Sequence, residues 1–356
     1  KRTNIFHSAI NFMGNLRERS YEKLTLITVG MAALIALAWS IGLIGRGIWQ
    51  LSQSSRETTE NSQNIPNFAR VPNVATGVFN YGGSTAWASL RLAVDSVIQS
   101  ERPEIQLRYI QPENEPPGSR PAIAMLLKGQ LAFVQSSYSL SPEEYQLAKQ
   151  KGLKLKQVPV AVDSLAVAVH PKLNVPGLTL NQLQAIYTGK IANWQEVGGV
   201  DLPITVYSRP PSTGDLVDIF KLKILQNQQF ALNVEFVPTT TEALRQLADK
   251  PGAIYYDSTA AIISQCSIKL LPLGLAKDDL VAPYQQPFVP ASDCPKRRNK
   301  SNFKALRTAQ YPLTHYLYVT FLENRADSQI GQAYANFLLT PQGQKLITKT
   351  GFIPLD

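Results

Sequence analysis

Beyond residue 74 the chain alternates between short apolar runs and stretches of helical periodicity, and this alternation limits the folds open to it. GVFNYGGS at 77–84 is followed by a helical pattern at 90–98, EIQLRYIQ at 104–111, a second helical pattern at 122–127 and QLAFVQSS at 130–137. Strand, helix, strand, helix, strand predicts a mostly parallel sheet wrapped by helices. In such sheets ligands sit beyond the carboxyl ends of the strands, where loops enter helix N-termini. The run VPVAVDSLAVAVHP at 158–171 is almost wholly apolar, which predicts a buried strand crossing from one unit to the next. A second unit follows. It contains LTLNQLQAIYTGKIANW, ITVYSRPPSTGD leading into a helical pattern, VEFVP, a helix over 242–248 and GAIYYD. YPLTHYLYVTF and a helix over 329–339 supply one more strand and helix, which are expected to return to the first unit.

At 356 residues the chain is long enough for two packed domains and a non-globular segment. A net charge of +9 suits an anionic ligand. The basic residues are nonetheless scattered, apart from Lys296, Arg297, Arg298 and Lys300, and no basic helical stripe or nucleic-acid motif is present, so nucleic acid is not an expected partner. An enzyme is not expected either, since the chain has no GxSxG, no HExxH and no paired histidines. Cys266 and Cys294 lack metal-ligand spacing, and no metal or cofactor is expected. The two thiols fit a disulfide or two unrelated buried side chains equally well. His315, inside an aromatic run, is expected to be a packed structural residue.

From residue 24 to 45 no charge interrupts an apolar stretch of 22 residues, enough to cross a bilayer core as one transmembrane helix. The run is longer than a signal-peptide core and holds no cysteine for a lipid, so an uncleaved anchor is expected. Lys1, Arg2, Arg17, Arg19 and Lys23 precede it, against Arg46 and Arg56 after it. That bias puts residues 1–23 in the cytoplasm and the rest outside. Residues 46–73, rich in Ser, Gln, Asn and Thr with Pro66 and Pro72, are expected to form a flexible linker.

Three turns share one chemistry: Gly82-Gly83-Ser84-Thr85, Gly118-Ser119-Arg120, and Arg209 with Ser212-Thr213-Gly214. Each stands just before a helical pattern. Helix N-termini offer unpaired N–H groups, and small hydroxyl residues add donors while allowing close approach. Any one of these hydroxyls could be an ordinary helix cap. Their recurrence, together with Arg209, whose guanidinium fits two oxygens at once, points to a tetrahedral oxyanion.

LTLNQLQAIYTGKIANWQEVGG, RPPSTGD, PGAIYYD, YPLTHYLYV and FLLTPQGQKLITKTGFIPL, in this order, resemble the periplasmic phosphate-binding proteins of bacterial ABC transporters. The resemblance spans roughly residues 78–356. It implies an α/β, two-lobed type II periplasmic binding protein fold, with two crossing strands joining lobes at 74–158, 159–266 and 267–356. It further implies inorganic phosphate or a related oxyanion as ligand and an ABC permease as partner. Carried over by position, the ligand-binding residues are Thr85, Ala86, Ser119, Arg209, Thr213 and Gly214. Ser137 stands where well-studied members have Asp, and Asp215 stands where they have Thr. On this reading Asp215 either accepts a proton from the bound oxyanion, and so disfavours sulfate, or only complements its own helix dipole. A sensor or scaffold that contacts another membrane protein, its pocket altered or lost, is the competing function.

Overall fold

A computed structural model describes residues 65–211, 214–226 and 228–355. The membrane span expected at 24–45, the linker as far as residue 64, and Thr213 lie outside the described residues. Among the described residues no helix is long and apolar enough to cross a membrane.

The chain enters the fold earlier than residue 74. Phe68 and Val71 are buried, and the Phe68 ring lies 5.3 Å from that of Phe337. Arg102 Nη1 donates to the Phe68 and Val71 carbonyls at 3.3 and 2.8 Å. A polar composition hid one aromatic anchor, so the last residues of the expected linker belong to the core.

The first half follows the predicted alternation: Gly77–Gly83 (β1), Ala88–Glu101 (α1), Ile105–Tyr109 (β2), Ser119–Leu127 (α2), Phe133–Ser136 (β3) and Pro142–Gln150 (α3). β1 lies between β2 and β3, parallel to both. In α1 the buried residues Leu90, Val94 and Ile98 recur every four positions, so one stripe faces the sheet. Leu155–Val169 (β4) then carries the chain across.

The second half contains Leu178–Thr179 (β5), Leu180–Tyr187 (α4), Thr205–Ser208 (β6), Asp215–Phe220 (α5), Glu235–Phe236 (β7), Thr240–Asp249 (α6), Ala253–Ser258 (β8), Thr259–Ile262 (α7), Lys269–Leu271 (β9) and Leu273–Gly274 (β10). Phe303–Arg307 (α8) precedes the return strand Thr314–Leu322 (β11), and Ser328–Leu339 (α9) and Pro341–Lys349 (α10) close the chain. β11 runs antiparallel to both β3 and β4 in the first half-sheet. β4 pairs with β11 as far as Ser164 and with β8 from Leu165, so one strand serves two half-sheets. The chain returns to the first half along β11, and not at residue 267 as expected. β9 pairs with the far end of β4, and Leu306, Tyr311 and Leu313 lie in the second half's core. Each half-sheet is apolar on both faces, with helices supplying the covering side chains.

Polar groups cluster where β4 changes partners. Ser258 Oγ donates to Asp163 Oδ2 at 2.6 Å, and Ser164 N donates to Asp163 Oδ1 at 2.7 Å. Burial pushes the Asp163 carboxyl up to about 7. Its cross-strand partner His315 has both ring nitrogens buried without a partner among the described residues, and burial with the nearby Lys223 pushes the ring down to about 3. Cys266 and Cys294 form a disulfide, with Cα atoms 5.7 Å apart.

Candidate functional site

The carboxyl ends of β1, β6 and β8 meet at one crevice between the half-sheets. At the end of β1, Gly83 has φ +137, and a Cβ there would lie 2.1 Å from the Gln135 carbonyl. Only glycine lets β1 approach β3 this closely. Tyr109 donates to the Gly83 carbonyl at 2.9 Å from below, which fixes where the chain turns. Ser84 then caps the short helical turn Thr85–Trp87 and accepts from Ala86 N at 3.3 Å.

A small cavity in the crevice is lined by Ser84, Thr85 and Ala86 from the first half, and by Arg209, Asp215, Leu216, Val217, Tyr255, Tyr256 and Asp257 from the second. Arg209 Nε is buried and has no hydrogen-bond partner among the described residues. A buried donor left unpaired costs about 1–3 kcal/mol, more for a charged group, unless a ligand or water meets it. Asp257, by contrast, is fully engaged: it accepts from Thr240 Oγ1 at 2.6 Å, Tyr255 Oη at 2.7 Å and Ser258 N at 2.8 Å.

Of the residues singled out from sequence, Thr85, Ala86, Arg209 and Asp215 meet around the cavity. Gly214, at φ +113, is the N-cap of α5, and a Cβ on it would lie 3.8 Å from Thr85 Oγ1. Ser119 and Ser137 are buried behind Asp215. Ser119 donates from its backbone N to Asp215 Oδ1 and Oδ2 at 2.9 and 3.2 Å, and from Oγ to Oδ2 at 2.6 Å. Ser137 N donates to Ser119 Oγ at 3.0 Å, and Ser137 Oγ to Ser84 Oγ at 2.8 Å. Burial raises the Asp215 carboxyl above the ordinary range, although hydrogen bonds from Ser119 and Ser84 pull it down. Arg209, Asp215 and Asp257 all line the cavity, so its wall carries two carboxyl groups and one guanidinium.

Sequence reasoning placed Ser84 in the first of the three turns but missed Tyr255, Tyr256 and Asp257. A signal for the last three was available, since GAIYYD is an apolar strand ending in an acidic residue before a small-residue turn, the position at which open sheets carry ligands.

Two half-sheets sharing a crossing strand, with loops from both around a polar crevice, define a two-lobed solute-binding architecture of type II. Residues 70–342 match the PBP superfamily domain, and the chain belongs to that superfamily. It is 26% identical over 335 residues to the phosphate-binding protein PstS of Bacillus subtilis (strain 168), covering 94% of each chain. It is also 26% identical over 254 residues to PstS of Pseudomonas aeruginosa, covering 67% of this chain and 72% of the relative. Its fold matches an ABC-type phosphate transport receptor from Vibrio cholerae with a TM-score of 0.60 at 22% identity, over 77% of this chain and 99% of that one. PstS from Borrelia burgdorferi matches with a TM-score of 0.52 at 20% identity, over 78% and 98%. The relatives' names describe phosphate-binding proteins and a phosphate transport receptor.

Proposed function

We propose that this chain is an extracytoplasmic receptor for inorganic phosphate, held at the membrane by residues 24–45 with its N-terminus in the cytoplasm, that delivers its ligand to an ABC permease. The half-sheets act as lobes that close on the anion. Thr85 and the Ala86 N–H bind from the first lobe, and Arg209 with the Thr213–Gly214 turn from the second. Ser119 and Ser137 complete the hydroxyl set. The observation that carries this reading is the buried Arg209 Nε, without a hydrogen-bond partner among the described residues, at a cavity also lined by Thr85 and Ala86. Relatives named as phosphate-binding proteins support the choice of anion.

One observation favours a second reading, a sensor or scaffold whose pocket no longer takes an anion: the Ser119 donors are already engaged by Asp215. Calorimetric titration of the full chain with phosphate separates the two, since a receptor gives a saturable isotherm. Arg209→Ala should then weaken phosphate by about 2–5 kcal/mol, because truncating one partner of a desolvated charge pair leaves the other unpaired. Equal affinity in the variant would remove Arg209 from the site.

A further inference from the structure

The N-terminus of α2 has no cap of its own. Its N-cap residue is Gly118, and no side chain of that turn accepts from the first N–H groups. The acceptor comes instead from the other half of the molecule: Asp215, 96 residues further on, takes the Ser119 N–H and the Ser119 hydroxyl on its two oxygens. This arrangement is specific. Ser119 is fully buried, and Ser137 N holds the hydroxyl in place by donating to its oxygen, so the hydroxyl proton is left to point at Asp215. Gly118 leaves room beside it, since a Cβ at that residue would lie 3.3 Å from Asp215 Oδ1.

Two oxygens on one centre, accepting from a helix-start N–H and a serine hydroxyl, are what a bound oxyanion would present to the same donors. Asp215 also lines two spaces: the inner cavity with Arg209, and an outer groove formed by Pro117, Gly118, Arg120, Pro211 and Asp218. In the groove Arg120 is largely exposed and only loosely paired, 3.9 Å from Asp218. The carboxylate therefore borders both the outer groove and the cavity that holds Arg209, whose Nε has no partner among the described residues.

We propose that Asp215 is a built-in competitor for the oxyanion: its carboxylate fills the seat formed by Ser119 and latches the two halves shut, and an incoming anion binds by displacing it. This rests on the receptor reading for its ligand but not for the latch, which is a contact within the chain. Asp215 thus sets the affinity. Every anion first pays for breaking the Ser119 contact, and one without a proton meets the carboxylate as a like charge as well.

The test uses Asp215→Thr, which removes the charge and leaves a hydroxyl at the helix start. Spin labels at the exposed positions Leu92 and Leu222, one on each half, report the separation of the halves in the full chain. The native disulfide leaves no free thiol to compete for label. Without anion, the wild type should give one short distance population and the variant a broader, longer one. Calorimetry should show phosphate binding at least tenfold tighter in the variant, with a larger gain for sulfate. Unchanged distances, or phosphate weakened by the substitution, would overturn the latch and make Asp215 a bystander or a direct ligand group. If the variant opens while neither protein binds phosphate or sulfate, the latch stands and the receptor reading falls.

Discussion

Gly83 shows how one residue places a binding loop. Its φ of +137 and the 2.1 Å approach of a Cβ to the Gln135 carbonyl leave a side chain no room, and the obstacle is backbone. Gly83→Ala should cost about 3 kcal/mol or more in a urea titration, in the range reserved for buried strain. Gly152→Ala is the control. It too has a positive φ, +67, but open space around it, so only the left-handed backbone is penalised, at about 1 kcal/mol. Similar losses at both positions would mean that the close β1–β3 approach contributes nothing. Asp215 marks the limit of what residue-scale reading can deliver. The sequence placed it at a helix start beside the oxyanion turns, which is where it stands. Its partner lies 96 residues away, and no local pattern could reveal that it caps another helix.

The crossing element β4 was legible because ten nearly continuous apolar residues suit only a strand buried on both faces. Its interruption by Asp163 and Ser164 carried a second message, which becomes readable once β11 is beside it. Asp163 and His315 are directly paired across the strands, and burial disfavours the charged form of each. For Asp163, raised to about 7, the fold keeps a proton that the unfolded chain releases. Its stabilisation is complete below the unfolded pKa and is lost as pH rises toward 7. For His315, lowered to about 3, the fold excludes a proton that the unfolded chain takes up. Its stabilisation is present above the unfolded value and is lost as pH falls. Between pH of about 4 and 6.5 the two slopes oppose, each at up to about 1.4 kcal/mol per pH unit. In the wild type these two contributions should therefore largely cancel there. Asp163→Asn should leave stability rising with pH, and His315→Leu should leave it falling. Urea titrations at pH 4.5, 5.5 and 6.5 measure all three, and slopes of the same sign in the two variants would show that the pair does not govern the crossing.

At the scale of the whole molecule, the Cys266–Cys294 disulfide links cell compartment to architecture. The sequence could not choose between a bridge and two buried thiols, because spacing says nothing of where loops meet. The residues between them include β9, which pairs with β4, β10, which pairs with β5 in a separate two-stranded sheet, and the long irregular segment after them. With a separation of 28 residues, closing the loop limits the unfolded chain by about 3–4 kcal/mol on the chain-entropy account. On the proposed topology, the charge bias around residues 24–45 would put the domain outside the cytoplasm, where such bonds persist. The two arguments make one joint prediction for cells expressing the full chain. Alkylation before reduction should leave both cysteines unmodified, and protease added to intact spheroplasts should release a folded, disulfide-bonded fragment by cutting the linker ahead of Phe68. The double variant Cys266→Ser, Cys294→Ser should still be released, but with a lower urea midpoint. Cysteines that alkylate readily in wild-type cells, together with a linker protected from protease, would place the domain in the cytoplasm and remove the basis for a receptor that meets its anion outside.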